Sequence, residues 1–443
     1  MAIDPRTPVL VGVGQVQRRP DALTDDLGTP VDLMVDALRA AGDDAGSGSG
    51  ILQKADSIRV IDLLCRKYTD PAAEIAAALG ASPRERVRTE VGGNSPQMVV
   101  NDASLMIQRG DLDVVLITGA EAMYTRSMAR RAGGRIEWPD AGDEPTRRMG
   151  DPRPGSHEAE LARGIMMPIQ VYPIFECAIR AAMGLTHDEH RTRIAELWSR
   201  FSRVAASNPN AWSPRAYTTD EVRDIRPDNR MVGFPYTKLM NANMTVDQAA
   251  ALVLCSAETA AAAGIAEEKW VFPWSGSDAA DHWFVSERAD LASSPAMAAI
   301  GRAALELAGI GIDDIAHLDL YSCFPSAVQF AADAFGLDAW DESRVPTVTG
   351  GLTFAGGPGN NYVTHSIAAM AERLRANPGD LGLVNANGWY ATKHSVGVYA
   401  TAPPEGGFKW VSTQAEVDAG PRTAVAAEHE GDVTVEAYTV MHD

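Results

Sequence analysis

Cysteine is scarce in this sequence. Only four of its 443 residues are cysteines, and Cys65, Cys177, Cys255 and Cys323 lie far apart with no CxxC pair. That spacing excludes a disulfide framework and a cysteine-based zinc site. Because most of these residues stand in apolar runs, we expect buried free thiols.

Long apolar runs and positive charge are also lacking. No run reaches the ~18 apolar residues of a membrane span, and the N-terminus has no basic signal-peptide segment, so the sequence predicts a cytoplasmic protein. Lys and Arg number 39 against 59 Asp and Glu, which gives a net charge of −20. Such a charge repels nucleic acid and anionic lipid, so neither nucleic acid nor a membrane is an expected partner.

The composition that remains is that of a globular protein, with 45% hydrophobic and 22% charged residues. It excludes collagen, a coiled coil and wholesale disorder. The length suggests about three domains, with two large ones equally acceptable.

The two ends of the chain repeat one order of elements. A helix and an Asp pair lead into an apolar strand at 57–65, and the same order leads into another at 315–321. Each strand precedes a Gly-Gly pair, Gly92-Gly93 or Gly350-Gly351, and then a helix and a further strand. This repeat predicts an α/β fold of two similar halves.

Residues 125–239 interrupt the repeat with a Pro-, Gly- and Arg-rich loop and one amphipathic helical stretch. We predict an N-terminal half at 1–124 and 240–270, an inserted loop domain at 125–239, a C-terminal half at 271–403 and a tail at 404–443. The tail has one strand pattern, at 431–441. A lone strand is not stable, so it must pair elsewhere or begin a small extra domain.

The segment IQRGDLDVVLITGAEAM, residues 107–123, resembles the IxxGxxDVVLAGGxExM motif of the thiolase superfamily without a gap. GGNSPQ, FPYTKLMNANMTVDQAAALVLCSAE, DHWFVSERADL and NANGWYATKHSVGVY are similar to the actinobacterial type 1 thiolase-like proteins, often labelled acetyl-CoA acetyltransferases. The resemblance spans residues 8–401. It implies a duplicated thiolase fold of five αβαβα layers.

Four side chains that the family uses for covalent catalysis are absent at the matching positions. The nucleophilic cysteine falls at Gly93, the GHP histidine at Gly357, the CxG cysteine at Ala386 and the Asn or His of NEAF or HDCF at Tyr321. A thiolase holds its acyl group on a cysteine activated at a helix N-terminus. Acyl transfer by that route is therefore excluded on these residues.

Two phenols stand at these positions instead. Tyr321 and Tyr362 resemble the tyrosines of a thiolase-like subgroup that cleaves β-hydroxyacyl-CoA side chains of steroids as aldolases. That resemblance implies an acid–base pair. A phenol has a reference pKa of ~10, so a base among them needs cations or amide donors nearby. Lys393 and His394 are candidates for the nearby cations, and His394 is also a third catalytic candidate beside the two tyrosines. The alternative for Tyr321, Tyr362, Lys393 and His394 is a structural role.

Glycines and amides surround these positions. We predict that they bind the substrate thioester: Gly93, Asn94, Ser95, Gly357, Asn360, Asn361, Asn387 and Gly388. The glycine pair would let the thioester approach the amides of Asn94 and Ser95, which form an oxyanion site under an open tunnel.

An arginine patch breaks the acidic character of the chain. Its members are Arg126, Arg130, Arg131, Arg135, Arg147, Arg148 and Arg153. Because coenzyme A carries phosphates, we predict that Arg126, Arg130 and Arg131 bind them. The alternative is ion pairing with the nearby acids Glu137, Asp140, Asp143 and Glu144.

Two functions remain open. One is an acyl-CoA C–C bond enzyme of acyltransferase or aldolase type that lacks the thiolase cysteine, with a coenzyme A thioester as substrate and no covalently bound cofactor. The other is a non-catalytic acyl-CoA-binding or partner-binding protein on the same fold.

The resemblance also implies a homodimer or a small OB-fold partner protein. No metal site is predicted.

Overall fold

The structure is a computed structural model that describes residues 3–23, 27–140, 144–426 and 428–442. Asp143, one of the predicted ion-pair acids, lies outside these residues. The helices and strands in the described ranges are β1 (Pro8–Gln17), α1 (Pro30–Asp44), α2 (Ser49–Leu52), β2 (Ser57–Val60), α3 (Pro71–Leu79), β3 (Glu85–Thr89), α4 (Ser95–Arg109), β4 (Val114–Ala122), α5 (Met123–Arg131), β5 (Arg147–Met149), α6 (Glu158–Leu161), α7 (Pro168–Ala182), α8 (His187–Ser207), α9 (Thr219–Arg223), β6 (Met231–Gly233), β7 (Tyr236–Thr237), β8 (Asp247–Ser256), α10 (Ala257–Ala262), β9 (Phe272–Ala280), α11 (Pro295–Ala308), β10 (Ile315–Asp319), α12 (Pro325–Phe335), α13 (Gly351–Phe354), α14 (Tyr362–Ala376), β11 (Leu381–Gly388), β12 (Lys393–Ala400), β13 (Lys409–Ser412) and α15 (Gln414–Asp418). Short 3₁₀ helices lie at Lys238–Met240, Glu267–Lys269, Val285–Glu287, Ile312–Asp314 and Gly359–Asn361.

Within these ranges the strands form two large sheets and one small hairpin. The first sheet has the order β1-β8-β4-β2-β3-β5, the second has the order β10-β11-β12-β9-β13, and β6 pairs with β7. In the first sheet β8 runs antiparallel to β1 and β4, and the other neighbours are parallel. In the second sheet β12 runs antiparallel to β11 and β9, and β10 and β13 pair in parallel with their neighbours.

Helices lie between the sheets and on both outer sides. The central helices α4 and α14 each contact strands of both sheets, α1 and α3 cover the outer face of the first sheet, and α11 covers the second, with α12 packed on α11. One hydrophobic cluster fills the space under α1 and α3, and another joins the inner faces of the sheets to the central helices. This αβαβα layering of two similar halves confirms the predicted fold class.

Local sequence chemistry starts the matching outer helices in the same way. The Thr29 side chain accepts from the Asp32 amide before α1, and Ser294 accepts from Met297 before α11. A proline follows each cap, at the first helical position. α11 ends at Gly309, in the left-handed conformation that favours glycine. The apolar face expected for α1 is buried: Val31, Leu33, Met34, Ala37 and Leu38.

Two segments predicted to lie outside the halves contribute edge strands. β5, in the insertion, pairs with β3, and β13, in the tail, pairs with β9. Both strands are short, and β5 consists of Arg147, Arg148 and Met149. Such segments lack the apolar alternation that marks a strand, so the sequence analysis missed them. The helical stretch expected in the insertion is α8, which buries Ile194, Leu197, Trp198 and Phe201.

The strand expected at 431–441 does not form. One bridge joins Met441 to Gly233 in this segment, and Val433 and Val435 are 77% and 73% exposed. The prediction is wrong because apolar alternation makes a strand only where a neighbouring edge supplies hydrogen bonds.

No helix among the described residues has the length and apolar character needed to cross a membrane. All four cysteines are buried and free, as expected.

Candidate functional site

The glycine pair Gly92-Gly93 lies in the loop between β3 and α4. The helix begins at Ser95, so Gly93 stands at the helix N-terminus as predicted. The Ser95 amide donates to the Gly92 carbonyl at 3.0 Å and closes a turn, so it is not free for a thioester oxygen. The amides of Gly93 and Asn94 donate to no backbone carbonyl in the described part of the chain. They are the donors that the helix N-terminus offers to a ligand.

The phenol of Tyr321 fills the space beside Gly93. An ideal Cβ built on Gly93 would collide with Tyr321 Oη and lie 2.5 Å from the Asn387 carbonyl oxygen. Tyr321 therefore stands where a nucleophile's side chain would be. Gly93 lines none of five cavities of about 10 to 570 Å³ among the described residues, so the open tunnel above Gly93 stays a prediction.

Tyr362 faces a different partner. Its Oη lies 2.6 Å from Thr349 Oγ1 and donates to Asp319 Oδ2 at 3.1 Å, while the ring contacts Tyr321 edge to face at 5.6 Å between centroids. Asp319 is fully buried and accepts from further hydroxyl groups. The structure brings the two rings together but does not bring both hydroxyls to the glycine loop.

Burial raises the pKa of Tyr321 and of Tyr362 above that of an ordinary phenol, and the Asp319 carboxylate adds to the rise at Tyr362. Both phenols are therefore protonated at neutral pH. A protonated phenol donates a hydrogen bond but cannot remove a proton. This corrects the expectation that one of the two tyrosines acts as the base.

The neighbours Lys393 and His394 point to opposite faces of β12, as successive strand residues do. His394 Nε2 lies 3.1 Å from Asp281 Oδ2, and Asp281 also accepts from Ser294 at the start of α11. His394 is thus paired toward the start of α11, and its catalytic role stays a prediction. Lys393 Nζ donates to the carbonyl of Val91, the residue before the glycine pair.

The amides of Asn360 and Asn361 hold the protein's own backbone. Asn360 Oδ1 accepts from the Gly92 amide at 3.0 Å, and its Nδ2 donates to the Asp62 carbonyl at 2.8 Å. Asn361 Nδ2 donates to the Gly119 carbonyl in β4 at 2.6 Å. These bonds fix the glycine loop against the second half, and they occupy groups that were expected to bind substrate.

Two buried side-chain oxygens at the loop have no hydrogen-bond partner in the described chain, Asn94 Oδ1 and Asn387 Oδ1. Asn94 Oδ1 lies between Gly92 and Gly388, 2.5 and 2.7 Å from their ideal Cβ positions. Asn387 Nδ2 donates to Tyr172 Oη at 3.0 Å. Because an unpaired buried acceptor is costly, these oxygens mark a place for donor groups of a ligand.

Tyr172, in α7 of the insertion, is a site residue that the sequence analysis missed. Its hydroxyl donates to the Trp389 carbonyl and accepts from the Ala391 amide and from Asn387, each at 3.0 Å. Trp389 and Ala391 have φ of 54° and 49°, a strained conformation for residues with a Cβ. Tyr172 thus fixes the strained turn after Gly388. Its distance in sequence left no signal for this contact.

Gly357, at the position of the family's histidine, lies three residues before Asn360, which accepts from the Gly92 amide. The Gly357 amide donates to the Asn243 carbonyl at 2.9 Å. An ideal Cβ there would meet its nearest atoms at 3.4 Å, an ordinary contact. The position has room for a larger residue, but glycine supplies no base.

The structure divides the arginine patch. Three ion pairs join Arg147 to Asp102, Arg148 to Glu144 and Arg153 to Asp151, at N–O distances of 2.9, 2.7 and 2.7 Å. Arg126, Arg130 and Arg131 have no carboxylate within 4.0 Å among the described residues. Arg126 and Arg130 line an open cavity of about 380 Å³. Ion pairing thus accounts for part of the patch, and phosphate binding by the other three stays a prediction.

No cluster of His, Cys, Asp and Glu in the described ranges could hold a metal ion.

No model of a known family matches the chain, and no curated protein does. Solved structures do match. A monomeric SCP2-thiolase-like protein type 1 from Mycobacterium smegmatis is 35% identical, with a TM-score of 0.84, and the match covers 99% of this chain and 87% of that one.

Two more distant structures share the fold. An Ltp2–ChsH2(DUF35) aldolase is 19% identical with a TM-score of 0.65, over 89% of this chain and 98% of that one. An acetyl-CoA acetyltransferase from Syntrophomonas wolfei is 16% identical with a TM-score of 0.64, over 90% and 100%. At these identities the similarity shows the fold alone.

Proposed function

This chain belongs to the thiolase superfamily, and from that premise we propose that it binds an acyl-CoA thioester at the glycine loop and cleaves or forms a C–C bond without a covalent acyl-enzyme. The observation that carries the proposal is the Tyr321 hydroxyl beside Gly93, in the space of a nucleophile's side chain. Because this phenol is protonated at neutral pH, it donates a hydrogen bond to the substrate oxygen on which negative charge develops.

A β-hydroxyacyl thioester suits the other groups at the loop. Its carbonyl oxygen would accept from the amides of Gly93 and Asn94, and its hydroxyl or amide hydrogens would satisfy the unpaired oxygens of Asn94 and Asn387. In cleavage the hydroxyl loses its proton, the Cα–Cβ bond breaks, and the enolate takes up a proton at Cα. The products are a carbonyl compound and a shorter acyl thioester, so the step is redox-neutral and needs no oxidant.

The substrate class rests on two lines of support. The fold neighbours include proteins named as an acetyl-CoA acetyltransferase and as an aldolase. The guanidinium groups of Arg126 and Arg130, which have no carboxylate partner among the described residues, line an open cavity and suit the phosphates of coenzyme A. These observations favour a coenzyme A ester as the ligand.

Replacing Tyr321 by Phe tests this function. Wild type and Tyr321→Phe are incubated with 3-hydroxyacyl-CoA esters, beginning with 3-hydroxybutyryl-CoA, and the carbonyl product is measured by mass spectrometry. Loss of the hydroxyl is expected to lower turnover roughly 10²- to 10⁴-fold. The control is Tyr399→Phe, because Tyr399 is a buried phenol that donates to Gln97 at 2.7 Å. Unchanged turnover in Tyr321→Phe would remove the phenol from the mechanism.

A binding protein without turnover is the second candidate. The bond of Tyr362 to Asp319 and the filled space above Gly93 favour it. Calorimetric binding of acetyl-CoA, together with no product from any ester of the series, would establish this candidate. A homodimer and an OB-fold partner remain predictions; the Mycobacterium smegmatis relative is described as monomeric.

A further inference from the structure

Lys393 is a buried cation without an ionic partner. Its residue is 6% exposed, and among the described residues no carboxylate lies within 4.0 Å of its Nζ. A lysine is seldom buried unless it is paired, because removing an ammonium group from water is costly. The one hydrogen bond shown for Nζ is the bond to the Val91 carbonyl. Packing alone gives no reason for a lysine here.

The amine lies against the glycine loop. An ideal Cβ on Gly92 would be 2.8 Å from both Cε and Nζ of Lys393, just as one on Gly93 would meet the Tyr321 hydroxyl. The amine and the phenol therefore flank two successive residues of the loop. Two indole rings, of Trp283 and Trp389, lie 5.9 and 5.8 Å from Nζ and limit its access to water.

The charged groups around this amine favour exchange of its proton near neutral pH. Burial, together with the nearby Arg153 guanidinium, lowers the pKa of Lys393 to about 8, against the opposing effects of Asp151 and Glu90. Arg153 lies 3.8 Å over the Trp283 ring and is paired with Asp151. A fraction of the lysine is thus a neutral amine at the pH of a cell.

Four other titratable groups near the loop are engaged in their own contacts. Glu121 accepts from the amides of Leu64 and Cys65 at 2.6 and 2.8 Å, one on each oxygen. Burial raises its pKa to about 7, but its carboxylate lies against Gly359 rather than against the glycine pair. Asp319 is held by hydroxyl groups, and both phenols are protonated. The retro-aldol step proposed above needs a base at the glycine pair, and the Lys393 amine lies against Gly92.

We propose that Lys393 is that base: its neutral amine takes the proton of the substrate's β-hydroxyl group as the Cα–Cβ bond breaks. The electron pair of the O–H bond forms the new C=O bond, and the pair of the C–C bond passes to the thioester enolate, which accepts a hydrogen bond from Tyr321. The ammonium group then returns its proton to Cα, directly or through water, so atoms and charge balance. This inference rests on the proposed function.

Two Lys393 variants separate a base from a fixed positive charge. Lys393→Met keeps the length of the side chain and removes the amine, and Lys393→Arg keeps the charge but cannot lose its proton near neutral pH. Both are expected to lower turnover of 3-hydroxybutyryl-CoA, or of the best ester in the series, by roughly 10²-fold or more. Restored turnover in Lys393→Arg would overturn the base, and so would turnover in Lys393→Met within threefold of wild type.

Competitive labelling with acetic anhydride tests the amine without any turnover. The modification of Lys393 is followed by mass spectrometry across pH, with exposed Lys54 as the internal control. Half-maximal reactivity of Lys393 is expected near pH 8, well below the ~10.4 of an ordinary lysine side chain. Saturating acetyl-CoA should reduce the labelling of Lys393 and leave the labelling of Lys54 unchanged. A midpoint at Lys393 equal to that of Lys54 would overturn the assignment even in an active enzyme, whereas absence of turnover with every ester overturns the proposed function and the base with it.

Discussion

The two halves of the chain carry the same Gly-Gly pair for different physical reasons. Gly92 and Gly93 have no positive φ, and what excludes a side chain there is the close approach of Lys393, Tyr321 and the Asn387 carbonyl. Gly350 and Gly351 have φ of 96° and 79°. Their α-hydrogens also face the insertion, where an ideal Cβ on Gly350 would lie 2.5 Å from Cα and N of Ala205 in α8.

This difference shows that the same motif has a different structural role in each half of the fold. In the first half the glycine pair keeps space beside a helix N-terminus, and polar groups of the second half border that space. In the second half the glycine pair turns the backbone so that α8 of the insertion can pack against it. The candidate site therefore lies at one copy of the motif, and the other copy supports the insertion.

The largest expected effect is on the free energy of unfolding and comes from a substitution in the second glycine pair, Gly350-Gly351. Gly350→Ala forces a left-handed residue with a Cβ against the backbone of α8, and strain and overpacking together should lower the free energy of unfolding by about 4 kcal/mol. The matched variant Gly93→Ala meets the Tyr321 phenol and the Asn387 carbonyl but has no φ strain, so it should lose less. Urea denaturation of both variants measures the difference. A greater loss in Gly93→Ala would contradict the contrast between the two pairs.

Lys393→Met tests the surroundings of the first glycine pair through the pH dependence of stability, because Lys393 lies against Gly92. The folded protein holds Lys393 at a pKa of about 8 against an ordinary 10.5, so burial of the charge costs about 3 kcal/mol below pH 8. Allowing about 1 kcal/mol for the lost bond to Val91, the variant should be about 2 kcal/mol more stable at pH 7. Between pH 8 and 10.5 only the unfolded wild type keeps the proton, so wild-type stability rises and the gain disappears. A gain that does not vary with pH would contradict this account.

Tyr362→Phe should have a smaller effect, on stability. It removes one donor from the buried Asp319, which keeps its other hydroxyl partners, so the loss should be about 1 kcal/mol. Turnover should stay within a few fold of wild type, in contrast to Tyr321→Phe. Thermal unfolding and the product assay are run on the same preparations. A large fall in turnover with unchanged stability would restore Tyr362 to the acid–base pair.

The smallest expected effect is the absence of a new activity. Gly93→Cys returns the family's nucleophile to the loop, but Gly357 and Ala386 still lack the histidine and the second cysteine. The new side chain must also displace Tyr321. Cleavage of acetoacetyl-CoA should therefore remain at background, measured as acetyl-CoA formed. Activity well above background would show that the second half already contains a base for that cysteine.

The sequence predicted the parts of this fold that depend on local pattern. The apolar face of α1 and the amphipathic α8 follow from periodicity, whereas the helix start after Gly93 follows from the resemblance of residues 107–123 to the family motif. The edge strands β5 and β13 could not be predicted because their hydrogen bonds come from distant strands.

At the candidate site the same limit applies. Strand alternation separates Lys393 from His394, but only the pairing of β12 with β11 and β9 decides which of them faces the loop. The orientation of Tyr362 depends on the buried Asp319 carboxylate, and the role of Tyr172 depends on where the insertion packs. These are tertiary contacts, which a linear pattern does not contain.

The three hydrogen bonds of the Tyr172 hydroxyl also bear on the order of folding. The turn Trp389–Ala391 is strained, and the hydroxyl from α7 holds it together with the bond from the Thr392 amide to the Gly388 carbonyl. Packing of the insertion and the shape of this turn at the candidate site are therefore coupled. The Ala391 amide reports on that coupling, because its hydrogen exchanges with solvent only when its bond to the Tyr172 hydroxyl opens.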